Sequence, residues 1–142
     1  MRWLCAITLG LTGAAQAQSD ITPQVNTVLQ GHVAEGCQTG AGTFDAGFYA
    51  RELTGNGLTD LLVDHGGITC SGGFGRSLFC GVQMCSVYFY VNDGQSLTLF
   101  HEMLGIVMTV SDTPLPLIGI AGHNSPVHQW RWNGSAFANI GQ

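Results

Sequence analysis

Lysine is absent from this sequence, and only four arginines take its place. Together with nine Asp and Glu they bring charged residues to 9% of 142 and the formal charge to −5. An average soluble domain carries roughly a quarter charged residues. Four dispersed cations cannot neutralise a run of phosphates, so nucleic acid and anionic membrane surfaces are poor partners for this chain. No uncharged apolar run reaches the roughly 18 residues that a membrane-spanning helix needs. The sequence also has no C-x-x-C pair to lower a thiol pKa, no H-E-x-x-H and no G-x-S-x-G, which sets aside the common redox, metalloprotease and serine-hydrolase motifs.

Glycine, in contrast, is abundant at 21 residues, and the apolar fraction of 45% argues against disorder. The first residues read as an address. Met1-Arg2 supplies a positive charge, Trp3 to Ala15 is apolar or small, and Ala15-Gln16-Ala17 has the small-x-small form of a cleavage site. The expectation is a signal peptide over residues 1–17, followed by a single domain over 18–142 delivered to a bacterial periplasm or secreted. That domain keeps Arg51, Arg76 and Arg131 against all nine acids, a formal −6.

It also keeps Cys37, Cys70, Cys80 and Cys85. An even number in an oxidising compartment reads as two disulfides with three possible connectivities. Cys37–Cys70 with Cys80–Cys85 is the favoured pairing, tying a helix to a strand and closing a short loop. Chain entropy assigns these loops roughly 4 and 2 kcal/mol. A four-cysteine zinc site is the competing reading, and the wide spacing disfavours it.

Thr22-Pro23 forms an N-cap and first-turn pair, and Val25, Val28, Leu29, His32 and Val33 then fall on one helical face. Gly36 ends that pattern in the manner of a C′ glycine, predicting a helix over 22–35. After a turn-rich connector over 40–47, the signals are β. Strands are predicted at 48–51, 61–64 and 86–91, the last aromatic and β-branched on both faces. Further strands are expected at 97–100, 106–110 after a kink at Gly105, 115–121, 127–132 and 136–138. Asn92-Asp93-Gly94 and Asn133-Gly134 mark hairpins, the second with a two-residue turn. The fold class is therefore α+β: one N-terminal helix packed on a curved, mainly antiparallel sheet of seven or eight short strands.

Between two of these strands, Glu52-Leu53-Thr54-Gly55-Asn56-Gly57-Leu58-Thr59-Asp60 has the shape of a D-x-[DN]-x-D-G-x-x-D calcium loop. Glu52, Thr54, Asn56 and Asp60 would offer side-chain oxygens and Leu58 its carbonyl, with Gly57 making the sharp turn. Here the chain resembles the FG-GAP/VCBS type of repeat, in which such a loop precedes a β-strand and binds Ca²⁺. It also resembles a group of small exported bacterial proteins with an N-terminal helix ending near a Cys, this loop, and a downstream Phe-Cys-Gly…Cys segment. The first resemblance implies a calcium site. The second implies no activity. Only Glu52 and Asp60 carry charge, so such a site would be weak, in the roughly millimolar class. Gly55-Asn56-Gly57 is also a good tight turn without metal, with Asp60 capping its own loop, and this is the favoured reading.

The histidines are His32, His65, His101, His123 and His128. His32 on the helix's apolar face reads as a satisfied core or rim histidine rather than a ligand. His123 and His128 flank a turn, and a third ligand from His101-Glu102 or Asp64-His65 would complete a zinc-like set for a metal-assisted hydrolase. A Ser125/His123/Asp112 centre is a weaker alternative. Trp130 and Trp132 share a strand face with His128, and are expected in the core beneath or beside the helix, or else as an exposed ledge. Tyr88 and Tyr90 carry the same ambiguity. The Asn133-Gly134-Ser135 sequon falls in a tight turn.

Three function classes remain. The leading one is an exported, non-enzymatic binding or envelope-interaction domain, in its sharpest form an acidic inhibitor-like protein that engages a basic partner such as a lysozyme-type enzyme. A calcium-dependent adhesion or stability module at Glu52–Asp60 is the second. The third is the metal-assisted hydrolase at His123 and His128.

Overall fold

A computed structural model describes residues 21–142, so the expected signal peptide lies outside the described residues. Helix α1 spans Pro23–Gly36, and the Thr22 side chain accepts the Val25 N–H at 3.2 Å as its N-cap. Val25, Leu29, His32 and Val33 form its buried face. Gly36 was expected just past the helix end; it is instead the last helical residue, and Cys37 N–H closes the turn on the Val33 carbonyl. A Cβ at Gly36 would lie 2.8 Å from Ser77 Oγ and 3.2 Å from the His65 ring. Close approach, not a left-handed cap, explains that glycine.

Nine strands follow among the described residues: β1 (Gly42–Phe44), β2 (Phe48–Arg51), β3 (Asp60–Asp64), β4 (Ile68–Cys70), β5 (Cys85–Asn92), β6 (Leu97–Val110), β7 (Ile118–Ala121), β8 (Val127–Trp132) and β9 (Phe137–Gly141). The fold is α+β. Helix α1 packs on a seven-stranded antiparallel sheet of order β2-β3-β5-β6-β7-β8-β9, while β1 and β4 pair separately. The cysteines pair as Cys37–Cys70, joining the end of α1 to β4, and Cys80–Cys85, closing the loop before β5.

Strand β5 divides the interior. Tyr88 packs with Ala50, Leu61 and Val63 against Val25 and Leu29 of the helix. Val87 and Phe89 point the other way, into a cluster with Leu53, Leu62, Ile118, Ile120 and Phe137. Phe89 and Phe137 stack with ring centroids 4.5 Å apart, although their strands are four places apart in the sheet. The sheet must therefore curl, bringing β7–β9 over the face of β3 and β5 that the helix leaves free. Strand β6 makes the bend: Leu97–Gly105 pair with β5, and Ile106–Val110 pair with β7.

Several expectations need correction. Residues 97–110 form one long strand rather than two, with register shifts opposite Phe89/Tyr90 and at Val107/Thr109 rather than a break at Gly105. Gly105 is required because a Cβ there would lie 2.5 Å from the Ile120 side chain. Trp130 and Trp132 do pack on the core, but on the Phe89 side, away from the helix. The β8–β9 hairpin closes through four residues rather than two: Asn133 Oδ1 accepts the Ser135 and Ala136 N–H groups at 2.9 Å, which gives the sequon asparagine a turn-capping role. The two-stranded β1–β4 sheet pairs part of the connector read as turn-rich with Ile68–Cys70, whose strand was expected only as the far end of the Cys37–Cys70 bridge.

Gly31 is exposed in mid-helix, with nothing within 4 Å of a Cβ placed there. Gly31→Ala is expected to raise stability by about 0.5–1 kcal/mol in chemical denaturation. Gly36→Ala, with the same propensity gain, is expected to lower it by about 1–3 kcal/mol because it overpacks Ser77 and His65.

Candidate functional site

The calcium-like loop comes first. Asp60 is fully buried and its carboxylate accepts four hydrogen bonds. Oδ2 takes Leu53 N–H at 2.9 Å, Thr54 N–H at 3.1 Å and the Thr54 hydroxyl at 3.0 Å; Oδ1 takes Asn92 N–H at 2.8 Å. Glu52 Oε1 accepts Gly57 N–H at 2.9 Å, and Asn56 Oδ1 accepts Leu58 N–H at 3.0 Å. In this arrangement Glu52, Asn56 and Asp60 direct side-chain oxygens at donors of the loop and, through Asp60, of β5. Asp60 joins the loop to the end of β5, which a simple loop-capping aspartate would not do.

The five histidines separate into two settings. His101 lies against Phe89 and Trp130, with centroids at 5.7 and 5.8 Å. His128 pairs across from Ile120, and His123 Nε2 accepts from the Asn124 amide at 3.0 Å. Among the described residues no three His, Cys, Asp or Glu side chains gather in metal-holding range, so no third ligand joins His123 and His128. Asp112 pairs instead with Arg51 at 3.2 Å, and no hydrogen bond links Ser125 to His123.

His32 and His65 form an arrangement that sequence reasoning did not anticipate. Tyr90 OH lies 2.8 Å from His32 Nε2, His32 Nδ1 lies 2.7 Å from His65 Nε2, and His65 Nδ1 lies 2.7 Å from Ser77 Oγ. Ser77 Oγ also accepts the Phe79 N–H at 3.1 Å. This chain of hydrogen bonds crosses from the sheet through the helix to the segment before the Cys80–Cys85 loop. Both imidazoles can be neutral, in either of two opposite tautomer directions. Burial holds His65 down to about pKa 4, reinforced by His32, while burial lowers His32 against the raising effect of Glu35. Burial also pushes the Tyr90 phenol up to about 12, with Tyr88 adding to it. Ser77 beside a histidine resembles an activated nucleophile, yet its side chain is only 2% exposed and lies under Gly36. It borders an open cleft lined by Phe74, Arg76 and Leu78, with little of its own surface exposed there. The chain fastens the helix to the body.

The surface around this fastening is apolar. Val82, at the tip of the Cys80–Cys85 loop, is 95% exposed and Phe74 76% exposed; Leu78 and Phe79 are exposed beside them. One cleft of about 500 Å³ is lined by Phe74, Arg76, Leu78 and Val82, and a second of about 320 Å³ by Val82, Met84, Leu104 and His123. Leu104, Ile106 and Met108 continue the exposed apolar strip along β6. A third cleft, of about 390 Å³, adjoins at Gln83 and includes Tyr49, Asp64 and Ile106.

No family model, curated protein or solved structure matches this chain. Among the described residues no helix is long and apolar enough to cross a membrane.

Removing Asp60 would leave its buried donors unpaired. Asp60→Ala is expected to cost about 3 kcal/mol or more, and the loss read by urea denaturation should be the same in EDTA as in millimolar calcium. A calcium-dependent loss would support the metal reading. The histidines set a pH dependence. An unfolded imidazole titrates near 6.5 and folded His65 near 4, so between these values the unfolded state holds protons that the folded state does not. Stability therefore falls as pH drops through this window. Asp64, whose pKa is raised mainly by burial, acts with the opposite sign, since the folded state protonates first. Melting curves from pH 7 to 4 should show a shallower decline for His65→Gln than for the parent chain, which isolates the imidazole.

Proposed function

We propose that this protein is an exported, non-enzymatic binding domain that docks a basic protein partner on the apolar surface around the Cys80–Cys85 loop. The observation that carries the reading is the continuous run of exposed apolar side chains from Phe74 through Val82 to Leu104, Ile106 and Met108. Scattered surface leucines are ordinary, but contiguous apolar area beside a polar body marks an interaction site. The loop that presents Val82 is closed by Cys80–Cys85, and its base is held by the Ser77–His65–His32 chain. A partner would meet a preorganised surface and lose little ordering entropy on binding.

Charge supports a basic partner. The chain has no lysine, and residues 18–142 carry a formal −6. Asp60 and Asp64 are buried, while Asp45 and Asp93 are exposed and keep their charge at the surface. The net field therefore steers a cationic partner, while the apolar contacts hold it. The two disulfides support an oxidising compartment.

Titration of the disulfide-bonded protein with a cationic lysozyme, as a representative basic partner, tests this directly. The expected result is a complex that weakens steeply between low and physiological salt and is lost in Val82→Asp together with Leu104→Asp. Absence of a salt-sensitive complex, or full binding by the double variant, would remove the reading.

A further inference from the structure

The two carboxylates at the ends of β3 are both buried, yet only one is fully engaged. Asp60 accepts four hydrogen bonds. Asp64 is 6% exposed and accepts two: Oδ1 takes Gly66 N–H at 2.7 Å and Oδ2 takes Val107 N–H at 2.9 Å. A carboxylate offers about four lone-pair sites, so roughly half of Asp64's accepting capacity is open. No salt bridge reaches it among the described residues, where the one ion pair joins Arg51 to Asp112. The chain has no lysine with which to supply one. An uncompensated buried carboxylate is costly and gains strongly from a cation brought to it.

Asp64 lines the cleft of about 390 Å³ together with Tyr49, Gly66, Gln83, Ile106 and Val107. Tyr49 is close enough for the Asp64 charge to disfavour its ionisation. The wall thus combines an aromatic ring, an amide and two apolar side chains around one anionic group. Gly66 keeps the approach open, since a Cβ there would lie 3.0 Å from Asp64 Oδ1.

We propose that this cleft binds an organic cation, an ammonium or guanidinium group, against Asp64 with its alkyl stem on Tyr49 and Ile106. A divalent metal is the poorer fit, because it takes six to eight oxygen ligands or keeps a shell of water, whereas this cleft offers one carboxylate and a largely apolar wall. The same cation could come from a free amine or from the Lys or Arg side chain of a protein. The proposal stands independently of the docking reading, because a free amine suffices to test it.

The experiment is an amide-resolved NMR titration of the disulfide-bonded protein. One arm uses n-butylammonium and methylguanidinium; the other uses capped Gly-Gly-Lys-Gly-Gly and Gly-Gly-Arg-Gly-Gly, with the norleucine peptide as the uncharged control. Saturable shifts at the Gly66 and Val107 amides are expected, in roughly the millimolar range for so small a ligand. Tighter binding of the peptides than of the bare cations identifies a protein side chain as the source, and the reverse a free amine. Asp64→Asn should weaken binding at least 10-fold, and Gly66→Ala, which narrows the approach and keeps the charge, several-fold. If Asp64→Asn does not fold, Gly66→Ala and Tyr49→Leu carry the test. No saturable shift at these amides, equal shifts from the norleucine peptide, or unchanged binding by the folded variants would overturn the proposal.

Discussion

A strand with large apolar side chains on both faces cannot leave either face to water, and β5 is such a strand. Val87, Phe89 and Tyr88 are each less than a tenth exposed although they alternate across it. One short helix can cover only one side, and α1 does so with Val25 and Leu29. The other side needs a second layer, and no further α-helix is present among the described residues. The sheet supplies that layer by folding back on itself. This explains the length of β6, the register shifts within it, and the close approach of Gly105 to Ile120. Strong twist and bulges are the usual means by which a sheet bends without losing its pairing.

The helix side faces a different problem. Its contact with the sheet includes two imidazoles, a phenol and a hydroxyl in place of purely apolar groups. Left unpaired, each would cost stability. Joined in one chain from Tyr90 to Ser77, they satisfy one another and fix the helix in a single position. The same chain sets the position of the segment leading into the Cys80–Cys85 loop, where Leu78 N–H also closes on the Gly36 carbonyl at 2.7 Å. The entry to the exposed apolar loop is therefore held by hydrogen bonds made beneath it.

What the sequence made legible follows from the range of each interaction. The Thr22-Pro23 start, the apolar face of α1, the boundaries of β2 and β8 and the alternation in β5 depend on near neighbours, and all were readable. Disulfide pairing was readable because loop size and element placement favoured one of three choices. The His32–His65 contact spans 33 positions and has no local pattern. His32 could be read only as a satisfied histidine, not as half of a pair. Gly36 shows the same limit: its place at the helix end suggested a cap, while its actual constraint comes from Ser77, far along the chain. The three-residue strands β1 and β4 are too short to show a period at all.

The scarcity of cations acquires a structural meaning from this arrangement. A protein with lysines would commonly neutralise its buried carboxylates by ion pairing. Here they are stabilised by backbone N–H groups, which carry no net charge. Asp60 receives enough such donors to serve as a fixed structural element between the loop and the end of β5. Asp64 receives fewer, and it does so at the wall of an open cleft. Desolvation raises its pKa against the two backbone hydrogen bonds, so its charge is held less favourably than that of an exposed aspartate and gains from a counter-charge. Two aspartates four residues apart on one strand thus have distinct roles, separated by the number of donors each receives. The low charge of the chain leaves the cation at Asp64 to come from outside.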